Sequence, residues 1–304
     1  MDTTRFAPSP TGLLHLGHAF AALYAFQAAA SGRFLLRIED LDRGRARPEH
    51  VRAIEQDLAW LGLSWPQPPL YQSSRSEAYR AALATLERRG VTYPCFCTRR
   101  EILEEIERAA EAPHPSAAAT DDTPAEGPRY PGTCRQLAAA ERTRRLARGE
   151  PHAIRLDVAS ASAQAGALQF EELGAGPRGE HGLISVRAGQ AGDIVLARKD
   201  LPAAYHLAVV LDDAYQQVTL VTRAADLFAA THVQRLLQAL LALPAPRYAH
   251  HRVILDAQGR KLSKRDHAAT LRSLRERGVS PAQIRTGLGF GAAAAVADGP
   301  GSSA

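Results

Sequence analysis

His15-Leu16-Gly17-His18 follows the turn-rich stretch Arg5-Phe6-Ala7-Pro8-Ser9-Pro10-Thr11-Gly12, and Lys261-Leu262-Ser263-Lys264-Arg265 answers it near the other end of the chain. Pro8, Pro10 and Gly12 impose a tight reversal. A helix starting behind it turns its unpaired N–H groups and positive dipole end toward any phosphate lying above. His15 and His18, three residues apart, share one helical face and can both donate to triphosphate oxygens, while Gly17 leaves the backbone open to an adenine or ribose. Lys261 and Lys264 offer cations for the charge that grows on the α-phosphate and the departing pyrophosphate when a carboxylate attacks a nucleoside triphosphate. Taken singly, these motifs also fit a capped helix with two surface histidines and a solvated basic turn. Together they describe ATP held from two sides: His15, Gly17, His18 and Lys264 bind it, and His15, His18, Lys261 and Lys264 assist its reaction.

The elements that must position these residues follow from periodicity. Residues 3–7 read as a strand, 15–30 as a helix closed by Gly32, and 33–38 as a second strand. Pro48 suits a first helical turn, after which Val51, Ile54, Leu58 and Leu61 recur at helical spacing up to Gly62. Ser74 or Ser76 caps a further helix with Tyr79, Leu83 and Leu86 on one face, stopped by Gly90. From 95 to 192 the pattern changes to an insertion that carries the cysteines, a basic helix over 142–148 and a strand over 153–158. Within it, 109–128 is dominated by Ala, Pro, Asp, Glu and Thr without periodicity and reads as a mobile loop. Strand and helix alternation resumes at 193–197, 204–211 and 217–221, followed by a helix with Val233, Leu236, Leu237 and Leu240 on one side. Val253-Ile254-Leu255 then leads into the hairpin-like turn Asp256-Ala257-Gln258-Gly259, and the Ala/Gly/Ser tail 291–304 reads as disordered. Strands alternating with helices point to an α/β fold with a doubly wound parallel sheet. The expected domains are 1–94 and 193–243 as two halves of a catalytic domain, 95–192 as an inserted subdomain, and 244–290 as the lysine-loop region with a helical end.

Composition is that of a water-soluble protein with a large core: 304 residues, 45% hydrophobic, 23% charged. No apolar run is long enough to span a bilayer and no secretory signal is visible, so the expectation is a cytoplasmic protein without a membrane partner. A formal charge of +5 suits a polyanion such as RNA, as it also suits many basic enzymes that touch none. Arg142, Arg144, Arg145 and Arg148 fit either an RNA path or a solvated helix face. Three cysteines, an odd number, argue against a disulfide framework and leave metal binding or free thiols. Cys95-x-Cys97 and Cys134 suit Zn²⁺, for which a fourth ligand such as His114 is needed.

The ordered set of Arg5 to Gly12, His15 to His18, Arg37-Ile38-Glu39-Asp40-Leu41-Asp42 and Lys261-Leu262-Ser263-Lys264 resembles class I aminoacyl-tRNA synthetases of the glutamyl type. The resemblance covers residues 5 to about 265 and implies the Rossmann-like fold of that class, with an inserted acceptor-type α/β subdomain. It implies that Arg5, Ala7, Ser9, Glu39, Tyr205 and Arg223 bind L-glutamate, Arg5 at a carboxylate and Glu39 at the α-ammonium. Two arginines and one carboxylate match the two carboxylates and one ammonium of that amino acid. A shortened branch of the family carries a Cys-x-Cys and Tyr-x-x-x-Cys set, and the likeness makes Cys95, Cys97, Tyr130 and Cys134 the ligands of one structural Zn²⁺.

The chain ends 40 residues after Lys264, too soon for an anticodon-reading domain of the longer family members. The resemblance to the shortened branch therefore implies activation of glutamate by ATP, with Mg²⁺, in the absence of tRNA. It further implies transfer of the glutamyl group to queuosine in the anticodon of tRNA(Asp) by a monomer. The alternatives are a truncated glutamyl-tRNA synthetase that charges the 3′ end and a catalytically silent RNA-binding paralogue.

Overall fold

The computed structural model describes residues 1–111, 129–255 and 269–291. It falls into two compact units, Met1–Leu70 with Val253–Ala304, and Tyr71–Arg252. The elements run β1 (Thr3–Phe6), α1 (Leu16–Ala29), β2 (Arg33–Ile38), α2 (Pro48–Trp60) and β3 (Leu70–Tyr71), the last at the boundary between units. Next come α3 (Ser76–Arg88), β4 (Thr92–Cys95), α4 (Arg99–Glu111), α5 (Ala139–Ala147), β5 (Ala153–Leu156), α6 (Val158–Ala165), β6 (Gln169–Glu172), β7 (Gly182–Ser185) and β8 (Val195–Ala197). The order closes with α7 (Tyr205–Tyr215), β9 (Leu220–Ala224), α8 (Phe228–Leu240), β10 (Arg247–His251), α9 (Leu271–Glu276) and α10 (Pro281–Gly287). Among the described residues no helix is long and apolar enough to cross a membrane.

In the first unit β1 and β2 pair in parallel, with Arg5 opposite Leu35 and Phe6 opposite Leu36. The nearly unbroken apolar run of β2, with Phe34, Leu35, Leu36 and Ile38 all buried, is the pattern of a strand covered on both faces. Helix α1 lies against β1, where Thr4 Oγ1 donates to the Ala25 carbonyl at 2.8 Å. Between α1 and β2 the chain passes so close to Asp2 that a Cβ on Gly32 would sit 1.9 Å from the Asp2 carbonyl oxygen, so only glycine fits. Helix α2 begins with Pro48 and buries Ile54 and Leu58 of the expected face, together with Ala53 and Asp57, while Val51 on that face is only half-buried. The C-terminal helices join this unit through the Phe20–Phe290 ring contact at 5.2 Å, and Arg285 donates to the Leu61 carbonyl at 3.2 Å.

The second unit holds two sheets. In one, β10 runs parallel to both β6 and β9, and β7 adds antiparallel to β6. Its buried cluster joins Phe170, Val218, Val221 and Tyr248 to Phe228, the first residue of α8. In the other, β4, β5 and β8 pair antiparallel, so the parallel α/β expectation holds around β1–β2 and β6–β10–β9 but not here. Two buried carboxylates brace the unit. Asp212 accepts from Gln72 (2.9 Å), Arg75 (2.9 Å) and Tyr79 (2.8 Å), and Asp193 from Tyr93 (2.6 Å), Arg135 (2.9 Å) and the Val158 amide (3.1 Å).

Several local expectations shift. The helix expected from residue 15 starts at Leu16 because His15 stays extended as its N-cap. Neither Ser74 nor Ser76 caps α3: Ser74 Oγ bonds the Tyr71 carbonyl at 2.7 Å, and Ser76 is already helical. The strand expected over 153–158 ends at Leu156, since Asp157 caps α6 by accepting from the Ser160 amide at 3.1 Å. The strand expected over 217–221 is displaced to Leu220–Ala224. Helix α4 runs to Glu111, into the expected loop; 112–128, the turn at 256–259, Lys261, Lys264 and the tail from 292 lie outside the described residues.

Candidate functional site

On the first unit, His15 and His18 meet in a reciprocal cap of α1. His15 Nδ1 accepts from the Gly17 amide at 3.1 Å, and His18 Nδ1 accepts from the His15 amide at 3.2 Å, with ring centroids 3.8 Å apart. Because both Nδ1 atoms accept, each neutral ring carries its proton on Nε2, the nitrogen suited to donate to a phosphate oxygen. The two histidines are thus brought together by capping rather than by a shared helical face. The chain that follows the lysine motif is fastened at the same place. His15 forms a β-bridge with Thr270, six residues beyond Lys264, and the Leu271 amide donates to the Leu14 carbonyl at 2.8 Å.

Arg5 is buried on β1, and Ala7 opens the turn behind that strand. Pro8 O accepts from the Glu39 amide at 3.1 Å, and Ser9 Oγ donates to Glu39 Oε2 at 3.4 Å, so Ser9 and Glu39 stand together where β1 and β2 end. Pro10 O is held by the Arg47 amide at 3.1 Å and by the His50 ring at 3.2 Å, which fixes the turn from the α2 side.

The second unit carries Tyr205 and Arg223. Tyr205 is the first residue of α7, its side chain at the surface of a groove of about 990 Å³ that Arg155, Arg187 and Arg198 also line. Arg187 and Arg198 are exposed and have no carboxylate partner among the described residues. Arg223, buried on β9, donates from Nε to His250 Nε2 at 3.1 Å, from one terminal nitrogen to Gln234 Oε1 at 2.7 Å, and from the other to Thr231 Oγ1. His250 is bonded in turn to Glu172 Oε2 at 2.6 Å. Burial pushes the Glu172 carboxyl up, but the hydrogen bonds from His250 outweigh it and leave it below its ordinary value; burial also holds His250 low, against the pull of Glu172. The stable arrangement is therefore a carboxylate, a neutral imidazole and a guanidinium in a row.

Glu172, Thr231, Gln234 and His250 are not among the residues that motifs single out. One signal was present. In Gln169-Phe170-Glu171-Glu172 the strand period puts Glu172 on the face of Phe170, and a carboxylate on a buried face requires partners.

The thiols converge. Cys95, Cys97 and Cys134 have Sγ atoms within 4.8 Å of one another, and Tyr130 Oη lies 3.4 Å from Cys95 Sγ and 3.5 Å from Cys97 Sγ. Two amides finish the cluster: Phe96 N donates to Cys134 Sγ at 3.3 Å, and Cys134 N to Tyr130 Oη at 2.9 Å. Hydrogen bonding to Cys134 and burial push the Cys95 thiol up, whereas Cys134, stabilised first by Cys95 and helped by the Phe96 amide, is pulled below the ordinary thiol range. The cluster thus already favours one thiolate. Metal–sulfur bonds of about 2.3 Å put tetrahedral ligands roughly 3.8 Å apart, so three sulfurs and a phenol oxygen at this spacing fit one divalent cation. His114, the other candidate ligand, lies outside the described residues.

Comparison with known proteins gives consistent matches. The sequence profile of tRNA synthetases class I (E and Q), catalytic domain, covers residues 2–294. A glutamyl-Q tRNA(Asp) synthetase of Rhodobacter capsulatus is 48% identical over 292 residues, 94% of this chain and 99% of the relative. One from Symbiobacterium thermophilum is 41% identical over 290 residues, 92% of this chain and 83% of that one. Among solved structures, the glutamate-tRNA synthetase of Elizabethkingia anophelis superposes with a TM-score of 0.67 at 30% identity over 87% of this chain, which spans about half (53%) of that longer protein. The chain belongs to the class I tRNA synthetases of the E and Q type.

Proposed function

We propose that this protein activates L-glutamate with ATP, without tRNA, and transfers the glutamyl group to queuosine in the anticodon of tRNA(Asp). The observation that carries the acceptor is the similarity, over nearly the whole of both chains, to a relative named for that reaction. In the activation step a glutamate α-carboxylate oxygen attacks the α-phosphorus of ATP. A mixed anhydride forms, the bond to the bridging oxygen breaks, and pyrophosphate leaves with the electron pair. The Nε2–H groups of His15 and His18 donate to phosphate oxygens, beside Gly17 at the N-terminus of α1. Lys261 and Lys264 meet the growing charge on the α-phosphate and pyrophosphate. Mg²⁺ accompanies ATP as its counter-ion.

Arg5, Ala7, Ser9 and Glu39 are assigned to glutamate on the first unit, Tyr205 and Arg223 on the second. The charge pattern of two guanidiniums and one carboxylate complements glutamate in its zwitterionic, side-chain-ionised form. In the second step a hydroxyl of the queuosine cyclopentenediol attacks the activated carbonyl and AMP leaves. The groove beside Tyr205, with Arg187 and Arg198 exposed along it, takes the RNA strand that bears this base.

Cys95, Cys97, Tyr130 and Cys134 are assigned to one structural Zn²⁺ within an inserted acceptor-type subdomain, 95–192, of a Rossmann-like doubly wound catalytic domain. Bound there, zinc would supply a cross-link between β4 and the segment around Tyr130. A cytoplasmic monomer is the setting assigned to the protein; three cysteines without a disulfide, gathered as metal ligands, suit a reducing compartment.

The activation half is tested by ATP–pyrophosphate exchange with purified protein and no RNA. Exchange that depends on glutamate and is not supported by aspartate or glutamine is expected. Exchange only after tRNA is added would favour a truncated synthetase that charges the 3′ end, and none under any condition would favour a silent RNA-binding paralogue.

A further inference from the structure

We propose that Glu172 and His250 are positioning residues for Arg223: the buried histidine, interposed between carboxylate and guanidinium, orients the arginine and balances its charge while leaving it donors for a substrate carboxylate. This rests on the assignment of Arg223 to glutamate.

The argument begins with tautomers. Ionised Glu172 can only accept, so the 2.6 Å bond places the His250 proton on Nδ1. The neutral ring then has a bare Nε2, which accepts from Arg223 Nε at 3.1 Å. Glu172 Oε1 is fixed independently by the amides of His250 at 2.8 Å and Gly174 at 2.9 Å. Gly174 is needed for that approach, because a Cβ there would sit 2.2 Å from the His250 carbonyl oxygen. The Glu172 and His250 side chains are both fully buried, and the Phe228 and His250 rings meet in a T-shaped contact with centroids 5.2 Å apart. Neither partner has room to turn.

Three of the five N–H groups of Arg223 are used: by His250, by Gln234 and by Thr231. One N–H on each terminal nitrogen has no partner among the described residues, and no carboxylate lies within ion-pair distance of the guanidinium there. That arrangement matters for a carboxylate-binding arginine. A glutamate placed directly against Arg223 would occupy the fork that a substrate carboxylate uses. With a neutral imidazole between them, the negative charge offsets the cation from one group further away and the remaining donors stay available. Burial, which disfavours the imidazolium, keeps the intermediary neutral.

The test separates the two faces of the histidine. In His250→Asn the amide nitrogen can still donate to Glu172 but nothing reaches Arg223; in His250→Gln the amide oxygen can still accept from Arg223 but the Glu172 bond is lost. In glutamate-dependent ATP–pyrophosphate exchange, His250→Asn is expected to raise KM for glutamate about tenfold or more with kcat within about threefold, and His250→Gln to raise it less than about threefold, while thermal melts of the two shift alike. Equal KM changes that track the loss in melting temperature would overturn the proposal and leave His250 a packing residue. An Arg223→Ala protein with unchanged KM for glutamate would overturn the underlying assignment of Arg223, which is a separate failure. A readout that needs no variant is the ring ¹⁵N spectrum of the wild-type protein: His250 protonated on Nδ1 alone near neutral pH is expected, and an Nε2–H tautomer would contradict the proposal.

Discussion

His15 Nδ1 accepts from the Gly17 amide at 3.1 Å while His18 Nδ1 accepts from the His15 amide at 3.2 Å, so the two histidines fix each other's tautomer at the start of α1. The cap separates two roles in one residue. Asn at position 15 is a good N-cap yet has no donor where Nε2 stood. His15→Asn should therefore cost less than about 1 kcal/mol of stability but slow pyrophosphate exchange by about 100-fold. His15→Ala should slow exchange as much and in addition lower stability by about 1 kcal/mol. Denaturant melts and exchange rates on the same preparations check both; a His15→Asn protein with wild-type exchange would remove His15 from the phosphate site.

The thiol cluster predicts metal stoichiometry. Elemental analysis should find close to one zinc per chain, and Cys134→Ala should bind less than a tenth of that. Loss of the metal should destabilise the second unit by at least about 2 kcal/mol, read as a fall in Tm of roughly 5 °C. A fully active, equally stable protein without bound metal would leave three reduced thiols as the better description.

Acid sensitivity follows from buried histidine. Burial, reinforced by the nearby Arg187 charge, lowers His232 from 6.5 to about 4, and its Nδ1 accepts from the Arg187 amide at 3.1 Å. Between those two values the unfolded chain binds a proton there that the folded chain refuses, so stability is present above pH 6.5 and falls as pH drops toward 4. The loss from this group is about 3 kcal/mol. His250 and His251, both lowered mainly by burial, act in the same direction. His232→Asn, which keeps an acceptor near Nδ1, should flatten the decline of stability over that window; an unchanged slope would count against the assignment.

The groove makes a prediction about salt. Arg187→Glu with Arg198→Glu should cut transfer to tRNA at least tenfold and make its salt dependence shallower by about two phosphate contacts, while exchange without RNA changes less than about twofold. Competition of transfer by unmodified tRNA at graded potassium chloride measures it. Equal loss of both activities would place these arginines in the activation step instead.

How far the sequence reached depends on where its signals are local. Parallel β1 and β2, the α1 and α2 helices and the burial of Ile54 and Leu58 were legible because Pro48, the stopping glycines Gly32 and Gly62 and apolar spacing act within a few residues. The Cys-x-Cys pair and Tyr-x-x-x-Cys were legible as a resemblance, and the structure brings all four side chains together. The row Glu172–His250–Arg223 was not legible, since its members are far apart in the chain and meet only through the register of β6, β10 and β9. The role of His15 as a cap was hidden for another reason: histidine is an uncommon N-cap, and its extended backbone becomes visible only with the bridge to Thr270.

The most direct measurement of the central claim is the position of ¹⁴C-glutamate on tRNA(Asp) after incubation with ATP and the protein, mapped by nuclease digestion of queuosine-containing and queuosine-free RNA. The label is expected in the anticodon fragment of the queuosine-containing tRNA alone. Label on the 3′-terminal adenosine, or equal labelling of both RNAs, would contradict it.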